Sequence, residues 1–545
     1  MCNAARIRKL FICSLLVACF SAAAQTTTTA MPRHRIAGIV VSKIDGHTLA
    51  RARVVIGNVK NRQNVLSTVT SDEGKFEFTG LAAGKYFLQG DKRGYLPGSY
   101  DQHEQFSTAI VTGAGIDTEN LILRLSPAAY IIGRVLDENG DPVRRANVSL
   151  YRVNRQEGVS QVAGVRRATT DDLGAYELGP QNPGTYYVSG SAMPWYAIHP
   201  LIQRANTNDS VPGRVDPSLD VVYPVTYYSD VTESDAATPI QVRGGERMQI
   251  DIHLNPVQAL HLYFHAAVDP QNGLQVPQLS RSGMAGEEGM IGTNVEQVSP
   301  GIWEITGVAP GRYSVRVPVK GTGEAMVRQV DVVNDGQELD TSGAEALSSI
   351  TITAHLAAEA SLPPRLGVGL RLPHGTIKAW QQFDPKGEAH LLQIPAGRYE
   401  VLVWNFGKPY SIAQISSRDV EVYGHMLNVP AGSTVSVSVT VITGMGNLQG
   451  FVNRAGKPLA GAMVLLVPKD PTTTPDLFRR DQTDLDGSFQ LNSVVPGSYT
   501  IVAIQNGWDV DWSQPATLAP YISKGQAVEI RDNRTILLPQ AVEAQ

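Results

Sequence analysis

The chain has 545 residues, enough for several domains, and only 18% of them are charged. So few charges exclude long charged helices and coiled coils. The formal net charge of −5 leaves no basic excess to neutralise phosphates, so nucleic acid is excluded as a partner.

The chain opens with a targeting pattern. Arg6, Arg8 and Lys9 precede an apolar stretch, Leu10 to Phe20, that is too short to span a bilayer. Ala22-Ala23-Ala24 follows as a small-residue cleavage pattern, so residues 1–24 read as a secretory signal peptide with Gln25 first in the exported chain. Leu16-Val17-Ala18-Cys19 also resembles a bacterial lipobox, so soluble export and a lipid anchor at Cys19 both stay open. Cys2, Cys13 and Cys19 all lie in this segment, and cleavage behind Ala24 would leave no disulfide, thiolate nucleophile or cysteine metal site. No later apolar run reaches the length of a membrane helix, and Thr26 to Thr29 form a short leader.

Beyond the leader, one turn recurs five times. It reads Ala83-Gly84-Lys85-Tyr86, Pro183-Gly184-Thr185-Tyr186, Pro310-Gly311-Arg312-Tyr313, Ala396-Gly397-Arg398-Tyr399 and Pro496-Gly497-Ser498-Tyr499. The glycines are 100, 127, 86 and 100 residues apart, a spacing too long for a solenoid unit and suited to small all-β domains. Glycine makes the tight turn and tyrosine opens an apolar strand.

Three copies carry more. Each starts with a glycine-containing strand, at Gly38, Gly133 or Gly450, then a polar turn and a second strand. Each later has a Thr/Ser-Asp turn into an alternating strand: Ser71-Asp72-Glu73-Gly74, Thr170-Asp171-Asp172-Leu173-Gly174 and Thr483-Asp484-Leu485-Asp486-Gly487. Period-two closing strands are predicted at Leu121–Leu125, Ile250–Leu254 and Val435–Val441. No amphipathic helix is predicted beyond the signal segment.

These residues resemble the carboxypeptidase regulatory-like family, a transthyretin-like (prealbumin-like, immunoglobulin-like) β-sandwich. Copies one, two and five carry the likeness, while copies three and four keep mainly the Gly-x-Tyr turn. The resemblance implies an all-β chain of tandem sandwiches at 33–126, 127–256 (with an insertion near 197–222), 257–356, 357–443 and 444–540. Short linkers between them suggest a semi-rigid rod or arc. It also implies a non-catalytic role, and relatives in the same fold group bind starch or build surface proteins. Some of the latter crosslink lysine to asparagine beside a glutamate, a triplet that has no consistent place here.

The residues agree with a non-enzyme. No histidine has glutamate three residues on, and His-Glu-x-x-His, Gly-x-Ser-x-Gly and the P-loop are absent. His253, His261 and His265 lie close together but read better as exposed or half-buried strand histidines than as a zinc site. Asp484-Leu485-Asp486-Gly487 reads as a hairpin turn rather than a calcium loop. No cofactor or metal is expected.

The candidate binding residues are aromatic. Tyr95 and Tyr100 follow the first Gly-x-Tyr strand, Trp195, Tyr196, Tyr227 and Tyr228 the second, and Trp508, Trp512 and Tyr521 the fifth. Flat rings beside carboxylates suit sugar rings, which stack on the aromatic face and place hydroxyls on acceptors. The competing reading is that these rings plug the open ends of the sandwiches. The expectation is therefore an exported, non-catalytic protein of the cell envelope or exterior that binds a polysaccharide or envelope glycan. The alternative is a structural stalk, or a module that partners an outer-membrane or surface protein through edge strands.

Overall fold

The computed structural model describes residues 33–545 except 114, 157, 200–215, 266–275, 287, 291–293, 319–324, 340–343, 358–361 and 406–409. The signal segment, its three cysteines and residues 200–215 of the insertion lie outside the described residues. The described chain is almost entirely strand and folds into tandem β-sandwiches.

The first sandwich shows the plan. His34–Ser42 pairs with Lys75–Leu81 on one side and Leu121–Leu125 on the other. The facing sheet runs Asn61–Val69, Arg53–Asn58, Gly84–Asp91 and Gly98–Ser99, with Ile110–Thr112 also on Gly84–Asp91. Alternating residues such as Ile36, Val54, Phe76, Leu88 and Leu123 meet between the sheets. The same plan recurs around Ala129–Leu136, Leu260–His265, Ser348–Leu356 and Gly446–Arg454, and each of these first strands takes a later strand in parallel. That parallel approach explains two of the first-strand glycines: a Cβ on Gly38 would lie 2.1 Å from the Leu121 carbonyl oxygen, and one on Gly133 would lie 1.8 Å from that of Ile250, whereas one on Gly450 would meet the Phe489 ring of the antiparallel partner at 2.8 Å.

The repeated turn has one geometry throughout. Gly84, Gly184, Gly311, Gly397 and Gly497 all have φ between +151° and +157°, a region closed to side chains. Two residues on, each tyrosine hydroxyl donates to the carbonyl four residues upstream: Ala82, Asn182, Ala309, Pro395 or Val495, at 2.7–3.0 Å. The ring fills the core and the hydroxyl ties down the turn. A second latch belongs to Thr70, Thr170 and Thr483. Each hydroxyl accepts from the amide of Ala52, Ala146 or Ala462 and donates to the carbonyl of Leu49, Val143 or Leu459. These groups are cut off from water, so each latch contributes about 1 kcal/mol.

Four expectations are corrected. Ser348–Leu356 belongs to the fourth sandwich, because it pairs with Glu388–Ile394 and Thr434–Ile442. The fifth runs past 540, because Val542–Glu543 pairs with Val452 and Asn453. A helix, Pro515–Ile522, interrupts the fifth sandwich, with Pro515 in its first turn and Leu518 buried against Trp512. The chain is also not an open rod or arc, since the fifth sandwich packs back on the first, second and fourth. Ala109 N–H donates to Asp484 Oδ1 at 2.9 Å, Arg155 pairs with Asp511 at 3.1 Å, and His425 Nδ1 lies 2.7 Å from Asp476.

Candidate binding site

The nine predicted aromatic residues fall into two groups, covered and open. In the first sandwich Tyr95 and Tyr100 are half-buried against the core beside Leu485 of the fifth. Tyr227 is buried and Tyr228 packs on the core of the second. These four plug their sandwiches.

The fifth sandwich's rings serve an interface. Trp508 stacks on His103 of the first sandwich, with ring centres 5.1 Å apart and planes within 7°, and donates to the Gly461 carbonyl at 3.1 Å. Phe106 tilts against the same indole. Trp512 is only 2% exposed, and the Arg480 guanidinium sits 4.2 Å from its ring centre. Arg480 also reaches Glu104 of the first sandwich at 2.8 Å. Tyr521 packs on the same cluster. The faces of Trp508 and Trp512 expected to take a sugar are thus occupied by the protein itself.

The second sandwich differs. Trp195 is 89% exposed and meets Tyr196 edge-on at 5.8 Å. The Tyr196 hydroxyl donates to Glu138, whose other carboxylate oxygen accepts from Tyr223 at 2.8 Å. Partial burial works to raise the Glu138 pKa, but the donors outweigh it and hold the carboxyl below its usual range. Burial and that carboxylate together push the Tyr196 phenol up to about 12. An open indole face therefore stands beside two oriented phenols and a carboxylate that stays ionised. Glu138 went unremarked in the sequence: it lies in the polar turn before Asn139-Gly140, and nothing local ties it to tyrosines 58 and 85 residues away.

The histidines do not assemble a metal site. His253 pairs with Asp230, while His265 is exposed near Glu338. His261 is neither exposed nor half-buried as expected. At 1% exposure it lies between Asp220 and Glu304, 2.7 Å from each. Burial lowers its pKa, but the two carboxylates override this and raise it to about 9. His199 reaches Asp220 from the other side at 3.0 Å. Among the described residues no group of three or more histidines, cysteines or carboxylates could hold a metal ion. The Asp484 segment is a tight turn, with Gly487 N–H donating to the Asp484 carbonyl at 2.8 Å, but not the hairpin expected, because Arg479–Gln482 and Ser488–Val494 lie in opposite sheets and the turn crosses between them. Among the described residues no helix is long and apolar enough to cross a membrane.

The latches and turns of the first sandwich coincide with a family match, in which residues 35–117 fit the model of the carboxypeptidase regulatory-like domain. That match spans most of the first sandwich. The same threonine latches recur in the second and fifth sandwiches. No curated protein matches the chain. Among solved structures, the Bacillus anthracis TIE protein is 14% identical, covering 77% of this chain and 76% of that one, with a TM-score of 0.18. BcpA, the major pilin subunit of Bacillus cereus, is 9% identical over 76% of this chain and all of its own, with a TM-score of 0.15. GBS52, the minor pilin of Streptococcus agalactiae, is 11% identical over 41% of this chain and 96% of its own, with a TM-score of 0.21.

Proposed function

We propose that this chain is an exported, non-catalytic assembly of β-sandwiches that holds a carbohydrate on the second sandwich, at the cell envelope or exterior. The observation that carries the reading is the 89% exposure of Trp195 beside Tyr196, Tyr223 and Glu138. Sugar C–H groups stack on the indole, and Glu138 accepts from sugar hydroxyls. Affinity electrophoresis over a panel of polysaccharides tests it. Retardation by a defined glycan that Trp195→Ala abolishes is the expected result, and retardation by no polymer contradicts it.

A second reading has its own observation. Asn61–Val69 is the edge strand of its sheet, and Val65, Leu66 and Val69 stand exposed on it. Such an edge suits strand addition by a surface protein. This reading gains if no glycan is bound and Leu66→Lys releases a protein partner that wild type retains.

A further inference from the structure

The meeting of the second, fourth and fifth sandwiches leaves a cleft of ≈ 500 Å³. That is within the range of small-molecule sites, roughly 300–1,000 Å³. Val159 of the second sandwich, Met426 of the fourth, and Phe478, Trp512 and Leu518 of the fifth line it. The wall is mostly aliphatic and aromatic, so it would take an apolar body.

Two polar features set what the other end of a ligand must be. The first is the charge balance. Glu400, buried in the wall, is already matched: Arg371 Nε donates to it at 2.7 Å and the Asp476 amide at 3.2 Å. Arg398, exposed at the same cleft, makes no ion pair among the described residues. The uncommitted charge is therefore positive, and a guanidinium offers a carboxylate two parallel donors. The second is Trp512, whose buried Nε1–H has no hydrogen-bond partner among the described residues. Buried indole N–H groups normally find an acceptor.

We propose that this cleft is a binding site for an amphipathic organic anion, an acyl chain or similar apolar body ending in a carboxylate. The apolar body lies between Val159, Met426 and Leu518, and the carboxylate pairs with Arg398. Because three sandwiches build the walls, the ligand binds only their packed arrangement and stabilises it. The site is separate from the Trp195 platform, so either can fail without the other.

Calorimetric titration of the whole protein with dodecanoate, below its micelle concentration, tests this. One saturable site per chain is expected. Arg398→Ala should weaken dodecanoate about tenfold and leave competition by neutral dodecanol unchanged, as expected for one lost ion pair. Ala519→Trp, at an exposed position on the helix wall of the cleft, should fill the space and abolish binding of both. Trp195→Ala should change neither. Absence of saturable binding, or binding that survives Ala519→Trp, overturns the site. Dodecanoate affinity unchanged in Arg398→Ala overturns the anion assignment.

Discussion

The second and fifth sandwiches carry the same turn with two residues exchanged, and the exchange changes what the turn does. In the second the order is Asp171-Asp172-Leu173-Gly174, and in the fifth it is Asp484-Leu485-Asp486-Gly487. Asp171 closes its own turn, accepting from the amides of Leu173 and Ala175 at 2.9 and 2.8 Å, and Leu173 is left 65% exposed. In the fifth, Asp486 takes the Ser488 amide at 3.0 Å, which frees Asp484 to face outward. Asp484 then accepts from Ala109 N–H and from the Lys85 ammonium, which also reaches Ser488 at 2.7 Å. Leu485, moved one place, packs on the core of the first sandwich and donates its amide to the Ala109 carbonyl at 3.0 Å. A surface turn has become a docking element with no change in composition.

The sharpest way to break this comparison is to restore the other order. The double variant Leu485→Asp, Asp486→Leu should lose both the apolar contact and the Asp484 geometry, costing about 4 kcal/mol at this interface. Chemical denaturation of the variant against wild type would show it. A loss under about 1 kcal/mol would mean that the contact holds little.

Asp481, beside Asp484, gives a pH test. Burial, followed by the Asp484 charge, raises its carboxyl to about 6 against two opposing backbone donors. An acid with a raised folded value keeps its proton on folding. Its contribution is therefore fully present below pH 4 and lost as pH climbs to about 6. Asp481→Asn should remove that decline and gain up to about 3 kcal/mol at pH 7. Melting temperatures from pH 4 to 7 would check it, and a variant that declines in parallel with wild type would refute the assignment.

Thr483→Val should cost about 2 kcal/mol by stranding the Ala462 amide and the Leu459 carbonyl, measured by urea unfolding. Asp171→Ala should cost only about 1 kcal/mol, since its bonds are local and exposed. Trp195→Ala should leave stability within about 0.5 kcal/mol, as expected for a side chain in water. If Trp195→Ala instead unfolds the second sandwich, that ring is a plug like Tyr227.

What the sequence made legible was local and periodic. The Gly-x-Tyr turn needs its glycine for backbone geometry and its tyrosine for a bond four residues back, so both letters recur even in the divergent third and fourth sandwiches. The threonine latch is short-range in the same way. The docking of Asp484 on Lys85 joins residues 399 apart, and no pattern in either segment records it. Trp508 and Trp512 were legible as an aromatic loop, but only the position of the first sandwich turns that loop inward. Pro520 inside Pro515–Ile522 masks the helix that Leu518 and Ile522 would otherwise announce. The strand at 348–356 alternates equally well as an ending or a beginning, and only its partners assign it to the fourth sandwich.

The claim that the fifth sandwich closes the chain on the first is tested most directly by small-angle X-ray scattering of the whole protein. A compact chain of this length has a radius of gyration of about 24 Å, and five sandwiches end to end would give about 50 Å. The expected value is below about 32 Å and rises in the Leu485→Asp, Asp486→Leu variant. A value near 50 Å in wild type would contradict it.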